Sequence, residues 1–314
     1  FEPSKKNYEF CEWQKNSETN FHRLLNVSLK SKNTIVLDLS TGSPLAAKFK
    51  YMSVKEQQNF LDLMLNEKKA HNAVGKYSEV RSIYSSEQFC HNSFEGDEKR
   101  TIHLGIDIFT KSGTVIYVPF EGFVHQLNDN RDHLDYGPTV ILKHQPSDGP
   151  SFYTLYGHLS RSCLKNLKIG QFVKGGMKLA EIGDSNENGG WITHVHFQII
   201  LDLFDSKGNY PGVALPSQQK VWTSICPDPK IMLGLTNRCS AKETNYEVLF
   251  KRRSQIFGPS LSLNYKNPLI ILQGHAQYLI DYKGQVYLDC VNNVAHVGHS
   301  HPSVSKALSN QSYV

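Results

Sequence analysis

Thr101-Ile102-His103-Leu104-Gly105-Ile106-Asp107-Ile108 sets an imidazole and a carboxylate four positions apart, with a glycine between them. Downstream, Thr193-His194-Val195-His196-Phe197 adds two imidazoles at i, i+2. Between the two lies Tyr156-Gly157-His158-Leu159. His194 to Ile199 reads as a β-strand, and residues i and i+2 of a strand face the same way. A cleft that holds His196 therefore also receives His194. His158 closes another strand-like run, Phe152 to Tyr156, and can approach from the opposite side.

The residue types point to zinc. This metal takes imidazole nitrogen and carboxylate oxygen at about 2.0–2.2 Å and, in catalytic sites, keeps one position open. His103, Asp107 and His196 supply three ligands. Two neutral imidazoles and one carboxylate leave a formal charge of about +1 on the metal. That residual charge can bring a bound water to a pKa of about 7. His158 and His194 are then placed to move a proton or hold an oxyanion.

The same residues carry a resemblance. The stretch 98–204 resembles the lysostaphin-type zinc metallopeptidases, whose known targets are peptide bonds in bacterial cell-wall peptidoglycan. That family has an HxxxD pair, a later His after a Tyr, and an HxH near the end. The frame is similar too. It runs through Lys111-Ser112-Gly113-Thr114, Val115 to Pro119, Glu121 to Val124, Thr139 to His144, Tyr156 to Ser160 and Ile169 to Gly175. The resemblance implies zinc on His103, Asp107 and His196, with His158 and His194 assisting catalysis. One departure is Asp184-Ser185-Asn186-Glu187-Asn188-Gly189-Gly190-Trp191, where the family more often has a short Gly/Ser-rich turn. It bears on the rim of the cleft rather than on the metal.

Each motif alone is weak. With 14 histidines in 314 residues, pairs arise by chance, as His299-Ser300-His301 illustrates. The strength lies in five residues in the right order within the right frame of strands and turns. His125, His133 and His144 are rivals without ligand spacing of their own. Asp129, Asp132 and Asp135 suggest a calcium loop, but the central glycine and terminal glutamate of a helix-loop-helix site are missing. Asp38 reads as a strand-end residue capping the turn Ser40 to Pro44. No HExxH occurs, so histidines must take the role of the base.

Composition sets the bounds. Hydrophobic residues make up 39% and charged residues 20%, which allows an ordinary globular core. A net charge of +5 is mild and argues against a nucleic-acid partner. Lys251-Arg252-Arg253 is the densest basic run and reads as a solvated face. Cys11, Cys90, Cys163, Cys226, Cys239 and Cys290 are scattered without a CxxC, as in a reducing compartment. No apolar run reaches the roughly 18–20 residues that span a bilayer. These features give the expectation of a cytoplasmic protein with no membrane partner.

Along the chain, Phe21 to Leu29 is expected as a short helix and Thr34 to Leu39 as a strand. Ser53-Val54-Lys55-Glu56 is a capping box that opens a helix through about Ala73. Residues 1–95 thus read as an N-terminal α/β connector segment. Residues 96–235 read as the peptidase domain, mainly β and antiparallel. Within it, Thr114 to Val118 is expected to be buried on both faces, and Asn128 to Asp135 to be a polar loop. Residues 236–262 read as a linker or a helical connection. In 263–314, Asn267 to Gly274 and Tyr278 to Asp289 form a hairpin-like pair with a Lys-Gly turn, and Pro302 opens a helix.

Residues 258–314, with Asn292-Asn293-Val294-Ala295-His296-Val297-Gly298-His299, resemble the start of the class III pyridoxal-phosphate aminotransferases. The nearest branch is that of ethanolamine-phosphate phospho-lyase. The segment is thus expected to be a truncated part of an α/β aminotransferase. The family's cofactor lysine lies further downstream, so pyridoxal phosphate is expected only in a full-length protein, with a possible homodimer through that domain. Peptidase followed by aminotransferase resembles a multidomain arrangement headed by a kinase of the aminoglycoside-phosphotransferase type. The favoured function is zinc-dependent endopeptidase-like hydrolysis, with a peptide or small-molecule substrate. The alternative is part of an aminotransferase or phospho-lyase acting on a small amine, with the peptidase-like module non-catalytic.

Overall fold

The computed structural model describes residues 4–312 apart from 18–19, 31–32, 85–88, 94–95, 236, 242–245, 258–260, 262, 264, 266–267 and 291–295. The Asn292 to Ala295 part of the aminotransferase resemblance lies outside the described residues. The N-terminal elements are α1 (Lys5–Asn16), β1 (Thr34–Leu37), α2 (Pro44–Phe49), α3 (Val54–Glu67), β2 (Asn72–Gly75), β3 (Cys90–Ser93) and β4 (Gly96–Lys99). The central elements are β5 (Ile102–His103), β6 (Ile106–Phe109), β7 (Val115–Tyr117), β8 (Gly122–Asn130), β9 (Gly137–His144), β10 (Phe152–Gly157), α4 (Ser162–Asn166), β11 (Phe172–Val173), β12 (Lys178–Glu181), β13 (His194–Ile200), β14 (Val213–Ala214) and α5 (Gln219–Ile225). Then follow α6 (Tyr246–Ile256), β15 (Ile271–His275), β16 (Tyr278–Asp281), β17 (Val286–Leu288) and α7 (Pro302–Gln311).

The molecule is strand-rich and its centre is an eight-stranded sheet in the order β1-β2-β6-β13-β10-β9-β8-β11. Only β1 and β2 pair in parallel; every other neighbour in this sheet is antiparallel. This is the mainly antiparallel β core expected from the short runs split by Gly, Pro, Asn and Asp. All seven residues of β13 are buried. Val195, Phe197 and Ile199 enter the main apolar core with Val140, Leu142 and Tyr156. His194, His196 and Gln198 face the other way. Helix α1 covers the far part of the core, where Phe10 and Trp13 lie 5.0 and 5.3 Å from the Phe152 ring.

The sheet crosses the expected boundary at 95/96. Strand β2 pairs with β6, with Gly75 opposite Asp107. Residues 78–81 also run beside 101–103, with Ser78 N donating to His103 O at 2.8 Å and Arg81 N to Thr101 O at 2.9 Å. Among residues 236–262, Tyr77 N donates to Cys239 O at 2.9 Å. The same region holds helix α6.

Several local expectations are corrected. Phe21 to Leu29 is not helical; it runs along β7, with Tyr117 N donating to Leu24 O at 2.8 Å, and buries Leu24, Leu25 and Leu29 in the core. Tertiary burial outweighs the weak local helical preference there. Helix α3 does open on the Ser53/Glu56 capping box. It ends at Glu67 rather than near Ala73, because Lys69 takes φ +51° and turns the chain into β2. Strand β7 is half-buried by alternation, not buried on both faces. Asn128 to Asn130 extend β8, so the polar loop begins at Arg131. The C-terminal hairpin and helix form, with Pro302 in the first turn of α7 and His301 as its N-cap.

No disulfide joins the six cysteines. No helix among the described residues is long and apolar enough to cross a membrane.

Candidate metal centre

The site is built by register. Asp107 of β6 stands directly opposite His196 of β13, and Gly157 flanks His196 on the other side. Directly opposed residues in an antiparallel pair hold their Cβ atoms about 4.5–5.5 Å apart. His103 arrives from β5, two residues before the bend into β6. Gly105 at that bend is required by space: a Cβ there would lie 2.6 Å from His196 Cε1 and 2.7 Å from Phe197 O. This is a physical reason for glycine within the His103–Asp107 spacing.

His103 Nε2, His196 Nδ1 and Asp107 Oδ1 form a nearly equilateral triangle. His103 Nε2 is 3.0 Å from His196 Nδ1 and 3.1 Å from Asp107 Oδ1. The third side, His196 Nδ1 to Asp107 Oδ1, is 3.1 Å. All three residues are buried. Among the described residues this trio is the one group whose ligand atoms lie within 4.8 Å of one another.

The tautomers follow from the other end of each ring. His103 Nδ1 donates to Lys76 O at 2.9 Å, so Nε2 keeps the lone pair. His196 Nε2 donates to Gln198 Oε1 at 2.9 Å, so Nδ1 keeps the lone pair. The Gln198 amide is itself fixed, because its Nε2 donates to Pro211 O at 3.1 Å. Two imidazole lone pairs and a carboxylate oxygen thus converge with no hydrogen among them. Such a donor set calls for a cation. Burial and the Arg81 charge push His103 down to about 4, so its ring is neutral at neutral pH. A tetrahedral metal with ligands at about 2.0–2.1 Å spaces neighbouring donors about 3.3 Å apart. The observed triangle is within a few tenths of an ångström of that size, so the residues fit zinc.

Asp107 is a carboxylate. Burial would raise its pKa, but His103, Arg81 and His194 together hold it well below the usual range. Its second oxygen, Oδ2, accepts from Arg81 Nη1 at 2.5 Å. Arg81 is buried, and its Nε donates to the fully buried Glu79 at 2.9 Å.

His158 and His194 stand beside the triangle with ring centroids 4.2 Å apart. His194 Nδ1 donates to Ile192 O at 2.7 Å, and His194 Nε2 lies 3.7 Å from Asp107 Oδ1. His158 Nδ1 donates to Asn188 O at 2.8 Å. Each ring therefore carries its lone pair on Nε2. Burial pushes both pKa values down, His158 well below the ordinary range with the help of neighbouring His194. At neutral pH both are bases, and neither donates from Nε2 until it has taken up a proton. His158 takes φ +63°, a left-handed backbone uncommon for histidine. That turn ends β10 and directs the ring into the cavity.

The cavity has a volume of about 300 Å³ and is walled by Tyr84, Leu134, Tyr136 and Trp191 as well as the imidazoles. Of the departing stretch Asp184 to Trp191, Trp191 lines the cavity. Asn188 is fully buried; its Oδ1 accepts from Trp191 N at 3.0 Å and its Nδ2 donates to Trp191 O at 3.1 Å. This loop supplies the carbonyl that orients His158.

Asp132 and Asp135 line the same cavity, but among the described residues no other candidate joins the triangle. His144 is buried between Glu121 O and Thr154 Oγ1, His133 is exposed, and His125 stacks near Tyr153. His299 pairs with Asp289 at 2.8 Å while His301 caps α7, so that HxH does not converge. Asp129 pairs with Arg131 and Arg161, and Asp38 caps its turn through Ser40. Arg81, Glu79, Gln198 and Asn188 were not singled out from sequence. Only Gln198 had a readable signal, since it continues the i, i+2 series of His194 and His196.

Residues 101–207 match the model of Peptidase family M23. Among solved structures, the catalytic domain of lysostaphin from Staphylococcus simulans is 23% identical, covering 38% of this chain and 80% of that chain at a TM-score of 0.27. A zinc containing peptidase from Vibrio cholerae is 24% identical, covering 40% and 36% at a TM-score of 0.27. The curated protein "Alanine--glyoxylate aminotransferase 2-like" of Drosophila melanogaster is 43% identical over 72 residues, which is 23% of this chain and 15% of the relative. "Ethanolamine-phosphate phospho-lyase homolog 1" of Caenorhabditis elegans is 41% identical over 66 residues, 21% of this chain and 14% of the relative. The chain spans about a seventh of the length of these curated relatives.

Proposed function

We propose that the peptidase family M23 domain at residues 101–207 is a zinc-dependent hydrolase of peptide bonds, with His103, Asp107 and His196 holding the metal. The observation that carries this reading is the triangle of two imidazole nitrogens and a carboxylate oxygen at 3.0–3.1 Å, with the far nitrogen of each ring turned to another oxygen. Zinc bound there would polarise a carbonyl and acidify water. His194 and His158, each neutral with its lone pair on Nε2, take up the proton released when water attacks. Once protonated, the same nitrogen can donate to the developing oxyanion or to the leaving amine. The carbonyls of Ile192 and Asn188 keep accepting from Nδ1 and hold the rings in that orientation throughout.

A peptide or small-molecule amide is the substrate class this reading takes. Metal analysis of the wild type against His196→Ala, with hydrolysis of glycine-rich and D-amino-acid peptides, tests it. Wild type holding one equivalent of zinc, and His194→Ala keeping zinc while losing hydrolysis, supports it. Zinc uptake without hydrolysis of any such peptide favours the second reading, a non-catalytic module in a longer pyridoxal-phosphate enzyme. That reading is supported by the curated matches to an aminotransferase and a phospho-lyase.

A further inference from the structure

We infer that the segment from Lys76 to Arg81, outside residues 101–207, positions two of the three metal ligands, with Arg81 as the positioning residue for Asp107. This inference rests on the zinc reading above. Three observations carry it. Lys76 O accepts from His103 Nδ1 at 2.9 Å and so aims His103 Nε2 at the triangle. Arg81 Nη1 occupies Asp107 Oδ2 and leaves only Oδ1 facing the two imidazoles. The guanidinium is pinned in turn, by Glu79 Oε2 at 2.9 Å and by the Tyr84 hydroxyl at 3.2 Å.

The geometry gives this chain of contacts a specific effect. A carboxylate with both oxygens open can bind a metal through one or through two of them. With Oδ2 taken by a planar fork that cannot rotate away, Asp107 offers one oxygen only. On a bound metal, a position that a second oxygen would fill would then stay open to water or substrate. The backbone fixes where the fork stands, because Arg81 N donates to Thr101 O and His103 N to Glu79 O at 2.9 and 3.0 Å. The ligand strand and the positioning segment are therefore laced together residue by residue. A lysine cannot replace the arginine, since one ammonium on a flexible stem does not hold both carboxylates in a plane.

Two variants of the full chain test this: Arg81→Lys, and the double change Glu79→Gln with Arg81→Met. The second removes both buried charges together, so that no carboxylate is left alone at position 79. Zinc affinity is read by chelator competition, and the cobalt-substituted protein by its visible absorption. Metal-free melting temperature is read in parallel. We expect zinc to bind about 10- to 100-fold more weakly in both variants, the usual effect of losing a partner behind a ligand. The cobalt bands should shift as Asp107 gains its second oxygen. A merely structural arginine would lower the metal-free melting temperature and leave affinity and cobalt bands unchanged; that result overturns the inference alone. Wild-type protein that takes up no metal overturns the functional reading and this inference with it.

Discussion

Gly105→Ala adds a single methyl group where the chain passes against the His196 ring. The new Cβ would lie 2.6 Å from His196 Cε1, 2.7 Å from His196 Nε2 and 2.7 Å from Phe197 O. The imidazole can tip, but the Phe197 carbonyl belongs to the central strand and cannot. Two effects on stability compete. Replacing glycine reduces the freedom of the unfolded chain and stabilises by about 0.4–1 kcal/mol. Overpacking costs about 1–3 kcal/mol, and here it wins because a backbone atom is among the three contacts. The metal-free protein should therefore lose about 1–2 kcal/mol. Tipping the ring also pulls His196 Nε2 from Gln198 Oε1, so zinc affinity should fall at least about tenfold. Urea denaturation of metal-free protein and chelator competition measure the two separately. Gly113→Ala is the control: its φ is +75° with nothing within 4 Å, so it strains the backbone but leaves affinity alone. A Gly105→Ala protein at least as stable as wild type, with unchanged zinc affinity, would refute the packing argument.

Two further outcomes are expected. His103 has a folded pKa of about 4 against an ordinary 6.5, so between those values the unfolded chain binds a proton that the folded chain refuses. Stability therefore rises with pH across that window and is lost on acidification. His158 and His194 are shifted the same way, and the depressed Asp107 carboxyl adds stability that disappears at still lower pH. The metal-free melting temperature should thus fall steadily from pH 7 to pH 4, and calorimetry showing a flat profile would contradict this assignment. Asn188→Ala removes the side chain that holds Trp191 N and O and should let the His158 partner drift. Hydrolysis should fall by about tenfold or more, a part of the roughly 10²–10⁴ that a positioned acid–base group contributes, while zinc stoichiometry stays at the wild-type value.

How much of this was legible beforehand depended on the range of the contact. The i, i+2 spacing of His194 and His196 and the capping box at Ser53 are local, and local geometry follows from local residues. The antiparallel core was readable from turn residues between short β-rich runs. Helix α1 and the extended course of Phe21 to Leu29 were not. Both are settled by burial against β7 and Phe152, more than 90 residues away in sequence. The expected helix through about Ala73 overlaps the first half of strand β2, because nothing in Asn72 to Gly75 announces a partner at Ile106–Phe109. The same limit applies to the site. The imidazoles and Asp107 are chemically conspicuous in a list of letters. Arg81 and Asn188 look like any surface arginine or loop asparagine until the sheet brings them to Asp107 and His158.

Strand β13 carries its hydrocarbon and its imidazoles on opposite sides of one backbone, both sealed from water. A one-residue slip of the whole strand against its neighbours would exchange the two sets at a stroke, sending His194, His196 and Gln198 into the oily interior and Val195, Phe197 and Ile199 toward Asp107. The seven positions therefore keep their two opposite duties only while the strand stays locked in step with the strands on either side of it.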